Sequence, residues 1–140
     1  MTVTVATFEV VPVGRVSSPL TDPAAAPKQG FEGAPEAWLV FDAAFVDGMR
    51  DLAPGDELFV VTWLHLADRD VLRTHPRGDP ANPETGVFST RSPHRPNPLG
   101  LHRVTVLEVD GPRLRVSNLE AVDGTPVVDV KPVLPPGSEA

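Results

Sequence analysis

The chain has 140 residues, no cysteine, 17 prolines and a formal net charge of -7. Its length suits a single domain, and the lack of cysteine excludes disulfides, thiolate metal sites and a cysteine nucleophile, which favours a reducing cytoplasm. The negative charge argues against indiscriminate nucleic-acid binding. No apolar run approaches the ~18 residues of a membrane span, and the N-terminus is unlike a signal peptide, so we predict a cytoplasmic protein without a membrane partner.

The first third of the chain predicts two strands and a short helix. Residues 2–13 alternate between apolar and polar, which predicts a strand. Residues 14–33 contain three prolines and predict a long loop, and residues 36–41 predict a short apolar strand. Asp42 is placed to cap a helix over residues 43–52, because apolar side chains recur there at helical spacing.

The rest of the chain predicts further strands. Residues 57–67 form the strongest strand candidate, apolar on both faces and therefore central, with His65 as its one polar insertion deep in the run. A hairpin is predicted from residues 101–109 and 113–122, joined by an Asp-Gly-Pro turn. A last strand is predicted over residues 127–134, after an Asp-Gly turn.

These elements predict a mainly β protein. Short strands separated by turns are typical of a small single-domain β-barrel, here with one short helix and long loops. We expect the domain to cover residues 1–135. The tail at 136–140 is expected to be frayed.

One stretch, "GVFSTRSPHRPNPLGL" at 86–101, carries the strongest chemical signal. No acidic residue lies between Glu84 and Glu108, and prolines at 93, 96 and 98 stiffen the backbone. Composition alone leaves three interpretations open: a linker, a docking peptide for a partner, or a rigid loop that binds a carboxylate or phosphate. The cationic side chains of the acid-free gap are Arg91, His94, Arg95, His102 and Arg103.

A second stretch, "VDGTPVVDVKP" at 122–132, combines a turn with a possible polar pair. Asp129 and Lys131 are two residues apart, so they share one face of the last strand. The four histidines lack metal-ligand spacing, and we predict no metal site. The sequence also lacks the nucleophile elbow of serine hydrolases and the glycine-rich loops of nucleotide-binding folds.

Together these stretches resemble the TrmO family, also called TsaA-like proteins. The similarity rests on "GVFSTRSPHRPNPLGL", on "EAVDGTPVVDVKP" and on the upstream "PKQ", with further agreement at "VPVGRVSSP" and "LFVVTWLH". It covers residues 10–135. The family pattern has Pro-Arg-Gln where this chain has "PKQ", which replaces a planar fork with a point charge.

The resemblance implies a fold, a reaction and an assembly. Members are small β-barrels that work as homodimers, with S-adenosylmethionine bound near the subunit interface. They transfer its methyl group to N6 of threonylcarbamoyladenosine at position 37 of tRNA. The alternatives are a methyltransferase for a small molecule or another RNA, and a non-catalytic module that binds S-adenosylmethionine or docks a partner.

The resemblance also implies the site residues. Arg91 suits the methionine carboxylate, and backbone groups around Gly124 are suited to read the adenine edge. The implied cofactor shell is Pro27, Lys28, Gln29, Leu64, His65, Arg91, Leu101, Val122, Asp123, Gly124 and Thr125.

Five residues are candidates for work on the acceptor. Arg95 and Asn97 are expected to shape the loop or touch the substrate. Asp129 and Lys131 are expected to support the site or orient the accepting nitrogen. Asp123 or Asp129 is expected to take the proton that this nitrogen loses.

Overall fold

The computed structural model describes residues 5–22 and 33–138, so the predicted cofactor residues Pro27, Lys28 and Gln29 lie outside the described residues. The strands are β1 Gly14–Ser17, β2 Ala37–Phe41, β3 Glu57–Trp63, β4 Arg73–Thr74, β5 Thr85–Gly86, β6 Leu99–Asp110, β7 Arg113–Val116 and β8 Pro126–Pro132. Six of them close into an antiparallel barrel in the order β1-β2-β7-β6-β3-β8, and β4 pairs with β5 in a separate two-stranded sheet. Three short 3-10 helices cover Ala43–Met49, Pro76–Gly78 and Val87–Ser89.

The barrel interior is an aliphatic core built by alternation along each strand. In β6, every second residue from Gly100 to Val106 is buried. Closure leaves no open edge among these six strands, so their backbone groups pair within the barrel. The prediction of a mainly β domain is confirmed.

Strand register places the chemistry at one end of this barrel. Trp63, the last residue of β3, lies opposite Leu99, the first of β6. Thr62 lies opposite Val127, next to the start of β8. The last residues of β3 and the first residues of β6 and β8 thus lie at the same end of the barrel. We call this end the loop edge.

The predicted strand over residues 2–13 is wrong for the part that the structure describes. Residues 5–13 are outside any strand, and β1 starts at Gly14, inside the predicted loop. At Gly14 a Cβ would come within 2.5 Å of the Val40 carbonyl oxygen, so only glycine allows β1 to pair this closely with β2. Val5, Val10 and Val11 stay exposed. Within the described residues, backbone bonds to the sheet begin only at Val13, whose amide donates to the Val127 carbonyl at 2.7 Å.

The predicted helix is shorter and tighter than expected. It is a 3-10 helix that ends at Met49, and the Asp42 side chain makes no capping hydrogen bond. Met49 is buried against the barrel, whereas Phe45 is exposed. Val46 and Leu52 also pack against the core. The helix ends because Arg50 is extended, with ψ 135°, and Asp51 adopts φ 77°.

The other strands are largely confirmed, with changed ends. The Leu64 amide still donates to the Pro98 carbonyl at 2.8 Å in the register of the β3–β6 pair, but Pro98 has no N–H to return, so β3 ends at Trp63. His65 therefore lies exposed in a turn, not within the predicted strand. The hairpin of β6 and β7 forms as predicted, but β7 ends at Val116, two residues before Asn118 adopts a left-handed conformation with φ 57°.

Candidate functional site

The Pro-rich stretch is an ordered loop that closes around Arg95. This half-buried guanidinium donates hydrogen bonds to three backbone carbonyls, those of Val87 at 2.6 Å, Ser92 at 3.0 Å and Thr90 at 3.1 Å. A planar fork with several donors can hold several carbonyls at once. Arg95 thus shapes the loop from inside.

A second arginine fixes the other half of this loop to the barrel. Arg69 donates from Nε to the Pro96 carbonyl at 2.8 Å and from Nη2 to Asn97 Oδ1 at 3.3 Å. Its guanidinium also stacks over the ring of Trp63, 5.1 Å from the centroid. Asn97 therefore has a loop-shaping contact, and Arg69 is a residue that the sequence reasoning missed.

Arg91 stands apart from these structural arginines. Its Nη2 donates a hydrogen bond to the Leu101 carbonyl at 3.2 Å, and the residue is exposed. No ion pair joins it to a carboxylate within the part of the chain that the structure describes. The remaining donors of Arg91 face solvent and are available to an anionic ligand.

The predicted cationic cluster does not form as a whole. Arg95 is used by backbone carbonyls, and Arg103 pairs with Glu57 at 2.8 Å. His102 is buried inside the barrel. These side chains are close in sequence, but β6 places His102 and Arg103 on its two opposite faces. Of the five, Arg91 and His94 remain beside the loop.

An apolar strip lies on the outer wall of the barrel next to Arg91. It consists of Phe59, Val61, Trp63, Leu99 and Leu101, which share the outward face of β3 and β6. In register, Val61 lies between Leu101 on one side and Asp129 on the other. We call these five side chains the outer strip.

Asp129 and Lys131 border the outer strip on β8. Their charged groups are 3.7 Å apart, and both side chains are more than half exposed. Asp129 Oδ1 also accepts a hydrogen bond from the Val130 amide. The polar pair predicted from the sequence is therefore present, but on the outer surface of the wall.

The Asp-Gly turn at 122–125 is held by its own hydrogen bonds. Thr125 donates from Oγ1 to the Val122 carbonyl at 2.7 Å, and Gly124 has φ 82°, a conformation that favours glycine. Asp123 Oδ1 accepts from the Ser18 amide at 3.0 Å. The amides of Asp123, Gly124 and Thr125 all donate to protein carbonyls, so a ligand would meet carbonyl and carboxylate acceptors here.

The loop edge brings several predicted cofactor residues together. Leu64 follows the end of β3, and Leu101 lies near the start of β6 with Arg91 bonded to its carbonyl. The turn 122–125 leads directly into β8. His65 lies in the exposed turn after Leu64.

A buried polar chain at the same end was not found from the sequence. Thr62 Oγ1 lies 2.7 Å from His102 Nε2, and His102 Nδ1 lies 2.7 Å from Glu120 Oε1. Gly100 makes room for it, because a Cβ there would lie 2.6 Å from His102 Nε2 and would overlap Thr62. Only the pairing of β3 with β6 reveals this chain, since its members are up to 58 positions apart in sequence.

A cavity of about 380 Å³ opens on the other side of Arg91. Its walls come from the segment around the Pro76–Gly78 helix and from residues 89–94 of the Pro-rich loop. No Asp or Glu lines it. The residues lining this cavity are Thr74, His75, Pro76, Arg77, Gly78, Ser89, Thr90, Arg91, Ser92, Pro93 and His94.

Residues 5–22 and 33–138 contain neither a metal-binding cluster nor a membrane-spanning helix. No group of three or more His, Asp or Glu side chains is arranged to hold a metal ion. None of the helices described is long and apolar enough to cross a membrane.

Sequence comparison finds relatives that are named for a cofactor. The chain is 46% identical over 125 residues to a "Probable S-adenosyl-L-methionine-binding protein" of Methanothermobacter thermautotrophicus, a match that covers 89% of each chain. It is 43% identical to an "S-adenosyl-L-methionine-binding protein" of Archaeoglobus fulgidus, with 89% of this chain and 88% of the relative covered.

Solved structures share the fold. A crystal structure of TrmO has a TM-score of 0.76 and 29% identity over 96% of this chain. TrmO from Pseudomonas aeruginosa has a TM-score of 0.74 and 28% identity over 93% of this chain. This chain spans 61% and 57% of the lengths of those two proteins.

The family model agrees with both comparisons. The model of the tRNA-methyltransferase O N-terminal domain matches residues 15–137, which span the barrel from the second residue of β1 to the end of β8. The Pro-rich loop, the outer strip and the Asp-Gly turn all lie within the matched range. The chain therefore belongs to the family of the tRNA-methyltransferase O N-terminal domain.

Proposed function

We propose that this protein is an S-adenosylmethionine-dependent methyltransferase that modifies N6 of threonylcarbamoyladenosine at position 37 of tRNA. Family membership and the names of the relatives support the cofactor and the reaction class. The observation that carries the proposal is the exposed guanidinium of Arg91 at the margin of the outer strip. An amino-acid carboxylate and an apolar ligand body both find complementary groups there.

The residues at the loop edge fit this cofactor. Arg91 would bind the methionine carboxylate, and the side chains of Leu64 and Leu101 would contact apolar parts of the ligand. The carbonyls of Asp123 and Gly124, which accept no hydrogen bond from another described residue, would receive the adenine amino group. When bound, S-adenosylmethionine would supply a methyl group on a cationic sulfur, and S-adenosylhomocysteine would leave as the nitrogen attacks the methyl carbon.

The cavity beside Arg91 is the proposed entry point for the acceptor. No Asp or Glu lines this cavity, and the acceptor base carries a threonine carboxylate. Arg95 and Asn97 act indirectly in this proposal, because both are engaged in holding the loop. Positioning of the two reactants supplies most of the rate enhancement that such a displacement needs.

A carboxylate is proposed to take the proton from the accepting nitrogen. Asp123 lies in the turn at the loop edge with one oxygen bonded to the Ser18 amide, which leaves its other oxygen for the substrate. Asp129 lies farther along the wall and already pairs with Lys131. The geometry therefore favours Asp123 as the base and Asp129 and Lys131 as supporting groups.

The proposal includes a homodimer with the site near its interface. Three large apolar side chains in the segments between β3 and β6 are exposed, those of Leu66, Leu72 and Phe88. Exposed apolar groups of this kind mark interaction surfaces when they cluster. Sedimentation analysis tests the dimer, and a monomer at micromolar concentration would contradict it. The cytoplasmic location remains a prediction from the lack of cysteine.

Two measurements test the function in order. Calorimetry with S-adenosylmethionine should show binding, and an absence of binding at millimolar ligand would refute the cofactor and the reaction together. Transfer of a labelled methyl group is then measured with bulk tRNA from a strain that lacks this modification. Transfer to tRNA that contains threonylcarbamoyladenosine confirms the acceptor. Binding without transfer to any tRNA would indicate a different acceptor or a non-catalytic module.

A further inference from the structure

The buried chain of Thr62, His102 and Glu120 has an order known from hydrolases, but its burial excludes that chemistry. A hydroxyl, an imidazole and a carboxylate follow one another at hydrogen-bonding distance, as in acyl-transfer triads. Thr62 has no exposed surface, and His102 is 4% exposed. A substrate carbonyl therefore has no access to the Thr62 hydroxyl.

Each ring nitrogen of His102 has one hydrogen-bond partner in this group, Thr62 Oγ1 at Nε2 and Glu120 Oε1 at Nδ1. With a proton on Nδ1, His102 would donate to Glu120 Oε1 and accept the Thr62 hydroxyl proton at Nε2. This arrangement satisfies every polar atom of Thr62 and His102. The side chain of Glu120 is 14% exposed, so its carboxyl group lies largely inside the protein.

The second oxygen of Glu120 is the unusual feature of the chain. Oε2 is buried and accepts no hydrogen bond within the part of the chain that the structure describes. Among the described residues, no arginine or lysine pairs with this carboxylate. Structural polar networks normally satisfy all their buried atoms, so a carboxylate oxygen without a partner here calls for an explanation.

The position of the chain suggests what the charge acts on. Thr62 is two residues before Leu64, His102 directly follows Leu101, and Glu120 is two residues before Val122. Each member therefore adjoins a segment that carries a proposed cofactor contact. The buried carboxylate adjoins the loop edge, where we propose that S-adenosylmethionine binds.

We propose that Glu120, held by His102 and Thr62, is a specificity-determining residue that favours S-adenosylmethionine over its demethylated product. The inference rests on the proposed function. The two ligands share the carboxylate, the ribose and the adenine, and they differ by one methyl group and one positive charge. Arg91 acts equally on both, whereas a fixed negative charge in a poorly hydrated place attracts only the sulfonium.

The test compares the affinities of both ligands by calorimetry in the wild type and in Glu120→Gln. The amide keeps the size of the side chain and removes the charge. We expect the affinity for S-adenosylmethionine to fall about five- to tenfold, with less than about a twofold change for S-adenosylhomocysteine, because a through-space charge interaction acts only on the charged ligand. Glu57→Gln is the control, because it removes a carboxylate at the opposite end of β3 that Arg103 already neutralises.

The outcomes separate this inference from the proposed function. Binding of both ligands with an unchanged affinity ratio in Glu120→Gln would overturn the inference and leave the cofactor assignment intact. Failure of the wild type to bind either ligand would overturn both. If Glu120→Gln does not fold, NMR of the wild type replaces it: the His102 ring nitrogens should shift further with S-adenosylmethionine than with the product. Equal shifts would overturn the inference.

Discussion

Arg91 reaches across from the Pro-rich loop to the start of β6, where its Nη2 donates to the Leu101 carbonyl at 3.2 Å. This bond orients the guanidinium along the margin of the outer strip while most of its donors stay in solvent. Arg95, four residues later, has the opposite fate, because three carbonyls occupy it. The same residue type thus serves ligand binding at one position and loop structure at the other.

Arg91→Ala should weaken S-adenosylmethionine binding and leave folding intact. Loss of a charge-assisted contact with the ligand carboxylate is expected to cost about 2 kcal/mol or more, close to thirtyfold in Kd. Calorimetry measures the affinity, and urea unfolding checks the fold. Arg50→Ala removes an exposed arginine elsewhere and serves as the control. Equal affinity in Arg91→Ala and the wild type would refute the proposed contact.

Arg95→Ala should instead loosen the Pro-rich loop. The variant leaves three carbonyls without their donor, and hydrogen bonds to a charged group contribute about 1.5 to 3 kcal/mol each at most. We expect faster amide exchange across residues 87–92 and a lower free energy of unfolding. Arg103→Ala breaks an exposed ion pair and should change stability by less than about 1 kcal/mol. Unchanged amide exchange in Arg95→Ala would show that the prolines alone hold the loop.

Gly100→Ala should destabilise the barrel. The added Cβ would collide with the buried chain at His102 and Thr62, and overpacking of this kind typically costs about 1 to 3 kcal/mol. Chemical denaturation gives the free energy of unfolding. Gly86→Ala is the matched control, because its φ is -59° and no atom lies within 4 Å of the added Cβ. Equal stability of the two variants would mean that the side chains of Thr62 and His102 move aside without a loss of folding free energy.

Ser89→Trp should block the acceptor without affecting the cofactor. Ser89 lines the cavity beside Arg91 and is exposed, so a large ring can fill the space without entering the core. We expect methyl transfer to tRNA to fall at least about tenfold, because small displacements from the reactive geometry are costly. The S-adenosylmethionine affinity should stay within about twofold. Full methyl transfer by this variant would place the acceptor elsewhere.

Sequence patterns determined those features that depend on local chemistry. Alternation of apolar residues predicted β2, β3, the β6 and β7 hairpin and β8, because one buried face requires a period of two. The length and order of the two motifs around Arg91 and Gly124 predicted the family. Proline spacing narrowed the possibilities for the loop without deciding among them.

Tertiary structure decided which of the polar residues share a site. Alternation upstream of Gly14 looked like a strand, but a strand needs a partner along its length, and among the described residues the backbone bonds to the sheet begin only at Val13. The five cations near the loop looked alike in sequence, yet register and carbonyl contacts gave Arg95, His102 and Arg103 structural partners. The chain through Thr62 and Glu120 exists only because antiparallel pairing brings distant positions within hydrogen-bonding distance, which no local pattern encodes.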